Sequence, residues 1–110
     1  MAMTMIDNTL THRGFAHSSF EDRYGARCSI QKSSLAFEDC IWFGVNDADP
    51  KIMCNNAARN GVPAQNNCGW QPYKIPEDVL LTTRMHLTQE QVKQIIPVLQ
   101  HFVDTGELPV

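Results

Sequence analysis

Residues 87–108, LTQEQVKQIIPVLQHFVDTGEL, decide the fold class of this 110-residue chain. Thr88 is a good helix N-cap, and Gln91 three residues on makes a capping box, in which each side chain satisfies a backbone N–H that the first turn leaves free. Leu87 before the cap and Val92 beyond the first turn form a hydrophobic staple, so the helix start is specified twice. Val92, Ile95, Ile96, Leu99, Phe102 and Val103 follow the i, i+3, i+4, i+7 spacing and share a stripe about 120° wide, which predicts a helix that covers a core with one face. Gly106 supplies the stop. Pro97 falls on the polar side, where a bend convex to solvent accommodates it.

Upstream, RCSIQKSS (27–34) and CIWFGV (40–45) are short, β-branched or aromatic, and bounded by turn-forming residues, as strands are. GFAHSSF (14–20) is a weaker strand and VLLTTRMHL (79–87) a stronger one. The expected architecture is α+β, an antiparallel sheet of about four strands with the one C-terminal helix packed across one face. A single domain over 1–110 is expected, with 1–13 a flexible tail. Residues 46–78, rich in Asn, Ala, Gly and Pro, read as a long loop in which PKIMCNNAARNG (50–61) can hold one or two helical turns.

Composition excludes several classes. With 43% hydrophobic and 19% charged residues the chain is expected to be globular rather than disordered. Its apolar runs are far short of the ~20 residues that span a bilayer, and MAMTMIDNTLTHRG lacks the basic and apolar regions of a signal peptide. A cytoplasmic protein with no membrane partner is the expectation. A net charge of −3 argues against duplex nucleic acid as a partner, since phosphate neutralisation needs a basic face, but leaves room for a local cationic pocket.

Cys28, Cys40, Cys54 and Cys68 form no C-x-x-C pair, and in a reducing compartment they are expected to stay free thiols. Neither they nor His12 and His17 have the close spacing of a metal site. No phosphate loop, nucleophile motif or paired-carboxylate motif is present, Glu38 and Asp39 in SSLAFEDC included. A non-catalytic protein without metal or cofactor is therefore expected.

The candidate binding residues come from alternation. In the strand ending at Leu87, Val79, Leu81, Thr83, Met85 and Leu87 share one face, and Leu80, Thr82, Arg84 and His86 the other. If the first set lies under the helix, Arg84 and His86 look out from the opposite face. There an arginine fork and a histidine make an anion-recognising pair or an ordinary solvated strand. FEDRYGARCS gathers Arg23, Tyr24 and Arg27 about Gly25 at an expected tight turn, and arginine beside an aromatic ring is the combination that holds a base and its phosphate. CIWFGV puts Trp42 and Phe43 on opposite faces, leaving one aromatic for a ligand or a second subunit. The uncovered sheet face and these aromatics lead to an expected homo-oligomer.

The blocks FEDRYGARCSIQKSSLAFEDCIWFGV (20–45) and GWQPYKIPEDVLLTTRMHLTQEQVKQIIPVLQHFVDTGEL (69–108) resemble those of a widespread family of small tailed-bacteriophage proteins. The resemblance implies a protein made in the cytoplasm of an infected bacterium, of a size common among proteins that counter host defence. Two modes suit a non-catalytic module. One is a sponge that sequesters a cyclic-nucleotide immune signal of the CBASS or Thoeris kind, an anionic ligand that Arg84, His86, Arg23, Tyr24, Arg27 and Trp42 would hold. The other is a direct inhibitor of a defence protein complex, like an anti-CRISPR, or a small phage structural or interaction protein.

Overall fold

Alternation of apolar and polar residues builds the larger of two units. The computed structural model describes residues 6–110. These divide into one unit drawn from residues up to Asn46 and from Thr83–Val110, and a second unit at Asp47–Thr82. In the first, β1 (Asp7–Leu10), β2 (Ala16–Glu21), β3 (Arg27–Lys32), β4 (Cys40–Val45) and β7 (Arg84–Thr88) form a five-stranded sheet in the order β1-β2-β3-β4-β7. Every neighbouring pair is antiparallel. The fold is thus α+β with an antiparallel sheet and the C-terminal helix α2 (Gln89–Thr105). It has one strand more than expected.

That extra strand is β1, from a segment expected as a tail. DNTL has no strand signature of its own, and all four of its residues are exposed. It is held by pairing along β2, and Ser18 donates a hydrogen bond to Asn8 Oδ1 at 2.6 Å. At the other end of β2, the Asp22 carboxylate accepts from the backbone N–H groups of Tyr24 and Ala26, and Gly25 takes the positive φ this turn needs.

Cross-strand register sorts the side chains into two faces. Phe20, Cys28, Ile30, Phe43, Val45, Met85 and Leu87 lie on one, where Phe20 and Phe43 meet edge to face at 6.4 Å. Thr9, His17, Gln31, Trp42 and His86 form a single row across the other. The strand before the helix is shorter than its sequence implies. Only 84–88 pair, because β4 ends at Val45 and offers no partner to 79–83.

The helix starts where the capping box places it. Thr88 Oγ1 accepts from Gln91 N at 3.1 Å and Gln91 Oε1 from Thr88 N at 2.9 Å. Gly106 at φ 76° closes it. Its packing differs from the expectation of a helix laid across the sheet. No residue of α2 is buried, and Ile96, Leu99, Phe102 and Val103 are half or more exposed. The physical reason is the join: Thr88 is both the last residue of β7 and the helix N-cap. No connecting residue remains to turn α2 back over its own sheet.

The second unit carries structure of its own where a loop was expected. β5 (Lys51–Met53) pairs with β6 (Trp70–Pro72), and α1 (Cys54–Ala57) runs into a 3-10 turn at Ala58–Asn60. Cys54 and Ala57 are buried, and the buried Gln71 amide accepts from Gln65 N and donates to Pro63 O. Polar closure replaces an apolar core in a segment with few large apolar residues. Among the described residues, no helix is long and apolar enough to cross a membrane.

Candidate ligand-binding face

Trp42 is the centre of the polar sheet face because β4 lies between β3 and β7, which puts it between Gln31 and His86 in register. The indole stacks on the His86 ring, 4.0 Å between centroids and 13° from parallel. His86 Nε2 is 3.0 Å from the buried Ser33 hydroxyl, which anchors the ring from below. The Arg84 guanidinium lies 5.9 Å from the centre of the indole ring, a cation–π distance, and its Nη1 donates weakly to Gln31 Oε1 at 3.5 Å. Ser33 as a residue is 5% exposed, and its hydroxyl also accepts from Leu35 N at 3.3 Å.

Arg84 reaches this position through Gly44. Its φ is 154°, and a Cβ there would lie 2.5 Å from Thr83 O and 2.9 Å from Arg84 Cα. Only glycine lets β7 approach β4 this closely.

Beside Trp42 opens a cleft of about 360 Å³. The turn between β1 and β2 supplies His12, Arg13 and Phe15, β3 supplies Gln31 and Lys32, and Ser34 and Trp42 close the sides. The turn is tied at both ends. Thr11 N donates to Phe15 O at 2.7 Å, Phe15 N to Thr11 Oγ1 at 3.0 Å, and Gly14 N to Thr11 O. The Arg13 guanidinium sits over the Phe15 ring at 5.6 Å. No carboxylate lines the cleft, though Lys32 also pairs with Asp39 at 2.8 Å. The Lys32 hydrogen bond and charge hold the Asp39 carboxyl below the usual carboxylate range.

The arrangement combines a held aromatic surface with cations from two strands and a turn, the chemistry that receives a planar base and an anionic group. Of the residues singled out from sequence, Arg84, His86 and Trp42 come together. Arg23 and Tyr24 occupy the β2–β3 turn, at the far end of these strands from the cleft, and Tyr24 is almost fully exposed. Arg27 opens β3 opposite Glu21, two rows from Trp42. Sequence reasoning missed Arg13, His12, Phe15 and Gln31 as members of the face. The signal for the first three was the turn THRG before a strand, legible only once β1 is known to pair.

A second, apolar groove of about 640 Å³ runs where β4 and β7 meet the helix start, lined by Ile41, Leu87, Val92, Ile96 and Pro97 with Lys32 and Lys93 at its rim. Burial pushes the Cys40 thiol beside it upward, and the Glu38 charge adds to that; burial does the same for Cys28. No family model, curated protein or solved structure matches this chain.

Proposed function

We propose that this chain is a non-catalytic phage protein that captures an anionic nucleotide signal of the host's defence, with the base against Trp42 and the phosphate on Arg13, Lys32 and Arg84. The observation that carries the reading is the cleft itself. A tryptophan held by a stacked histidine borders a pocket lined by Arg13 and by Lys32, the latter paired with Asp39, and a third cation, Arg84, lies beside the ring. Base–aromatic stacking contributes about 1–3 kcal/mol per base, and a charge-assisted hydrogen bond roughly 1.5–3 kcal/mol. Together they hold a small ligand at micromolar concentration after the cost of immobilising it.

The volume bears on the ligand class. About 360 Å³ is at the low end of small-molecule sites, enough for one base with its sugar. A cyclic dinucleotide would therefore place one nucleotide in the cleft and its second outside, toward Arg84. The phage setting comes from the resemblance of residues 20–45 and 69–108.

The test is a thermal-shift screen of the full chain against cyclic di- and trinucleotides and cyclic ADP-ribose isomers. A ligand at a hundred times its Kd adds about 2.7 kcal/mol of stability, which in a domain of this size raises the melting temperature by several degrees. No shift with any member would transfer support to a protein that binds a defence complex directly.

A further inference from the structure

We propose that two copies of this chain form a homodimer in which the long helix of each lies across the apolar sheet face of the other. The first unit carries two apolar surfaces, and neither is covered within that unit. On the sheet, Phe20, Ile30 and Phe43 are only half-buried, and Met85 is more than half exposed. On α2, the stripe of Ile96, Leu99, Phe102 and Val103 is open to water. Among the described residues no Leu, Ile, Val, Phe, Met or Trp is fully buried; the buried apolar set is Cys28, Cys40, Cys54 and Ala57. A domain of this size folds by burying most of its large apolar side chains, so the missing layer has to come from outside this unit.

What supplies it is the same chain. A sheet face needs a helix stripe and a helix stripe needs a sheet face, and each copy has one of each. The join at Thr88 prevents α2 from covering its own sheet, and the capping box fixes the direction in which the helix leaves β7. At 1.5 Å per residue its 17 residues reach about 25 Å, and five strands 4.8 Å apart span about 20 Å, so one helix can cross one sheet. A single two-fold operation then covers both surfaces of both copies, as an isologous interface requires. Pairing helix against helix would leave Phe20, Ile30, Phe43 and Met85 open.

The area agrees. Compact bodies of the sizes of the two units would together expose roughly 7,000 Å², whereas the chain exposes 9375 Å². An excess on the order of 2,000 Å² per chain falls in the range that obligate dimers bury. The exchange uses the face opposite Trp42 and leaves the cleft open.

Two variants test it, both with Cys68→Ser to remove the exposed thiol, one carrying Met85→Cys and the other Phe102→Cys. They are refolded together and treated with a short bismaleimide. The expected result is a covalent product joining one chain of each variant, a light-scattering mass of twice 12.4 kDa for the unmodified protein, and a melting temperature that rises with protein concentration. A mass of 12.4 kDa at tens of micromolar, or a Phe102→Cys chain that links to its own kind in preference to Met85→Cys, would overturn the exchange. Because Leu99→Glu in the stripe can prevent folding altogether, the cross-link, which leaves the stripe largely intact, decides the matter.

Discussion

The indole of Trp42 and the imidazole of His86 lie face to face, 4.0 Å between ring centres and 13° from parallel. They do so because the two residues are direct partners in the β4–β7 register, where side chains on one face of an antiparallel pair stand close together. With Ser33 holding the imidazole, the indole has little freedom left to lose when a ligand arrives. The same register puts Arg84 beside the ring, and the turn at Thr11–Phe15 brings Arg13 to the cleft.

Arg84→Ala and Arg13→Ala are each expected to weaken nucleotide binding by about 1.5–3 kcal/mol, the scale of a charge-assisted hydrogen bond. Neither makes an ion pair among the described residues, so the unliganded melting temperature should stay within about 2 °C. Arg23→Ala, in the distant turn, should bind as the parent does. Calorimetric titration of the three variants with whichever nucleotide shifts the parent checks this.

Gly44→Ala should destabilise the protein by about 1–3 kcal/mol, because a methyl group at that φ meets the backbone of Thr83 and Arg84 and forces β7 away from β4. Denaturant midpoints measure the loss. The same displacement moves Arg84 and His86 off the indole, so binding should fall even where the variant is fully folded.

The cysteines should divide into one reactive and three slow thiols. Cys68 is exposed, whereas Cys28, Cys40 and Cys54 are buried, and burial raises the first two further from their thiolate forms. A thiol reagent near pH 8 should label about one group quickly and the remaining three only after denaturation.

Acid should remove the Lys32–Asp39 contribution. A carboxyl with a lower pKa in the folded than in the unfolded chain stabilises above the unfolded value, and that contribution is lost as pH falls through the folded one. The stability difference between the parent and Asp39→Asn should be constant near neutrality and vanish as pH drops below about 4. Both residues are substantially exposed, so 1 M salt should shrink it. Urea midpoints at several pH values follow both effects.

Much of the fold was legible because its signals are local. Thr88, Gln91, Gly106 and the Val92–Val103 stripe announce the helix through spacing alone, and CIWFGV and RCSIQKSS announce their strands through residue type. What was not legible depends on long-range pairing. DNTL becomes a strand only because β2 offers an edge, and the Trp42–His86 stack joins residues 44 positions apart. The stripe itself was legible from spacing, but the burial it implied was not met within the chain, where no residue of α2 is buried; spacing cannot show that Thr88 both ends β7 and caps α2 with no residue between them.

If the Trp42 cleft holds a nucleotide, the fluorescence of its indole responds to the ligand. Trp42 and Trp70 are the two tryptophans of the chain, so Trp70→Phe leaves Trp42 as the only indole. Titrating that variant with the cyclic-nucleotide panel should quench its emission saturably at micromolar concentration for at least one member, and Arg13→Ala in the same background should weaken the response about tenfold or more. Emission unchanged by every member up to millimolar concentration, with the variant folded, would contradict the claim.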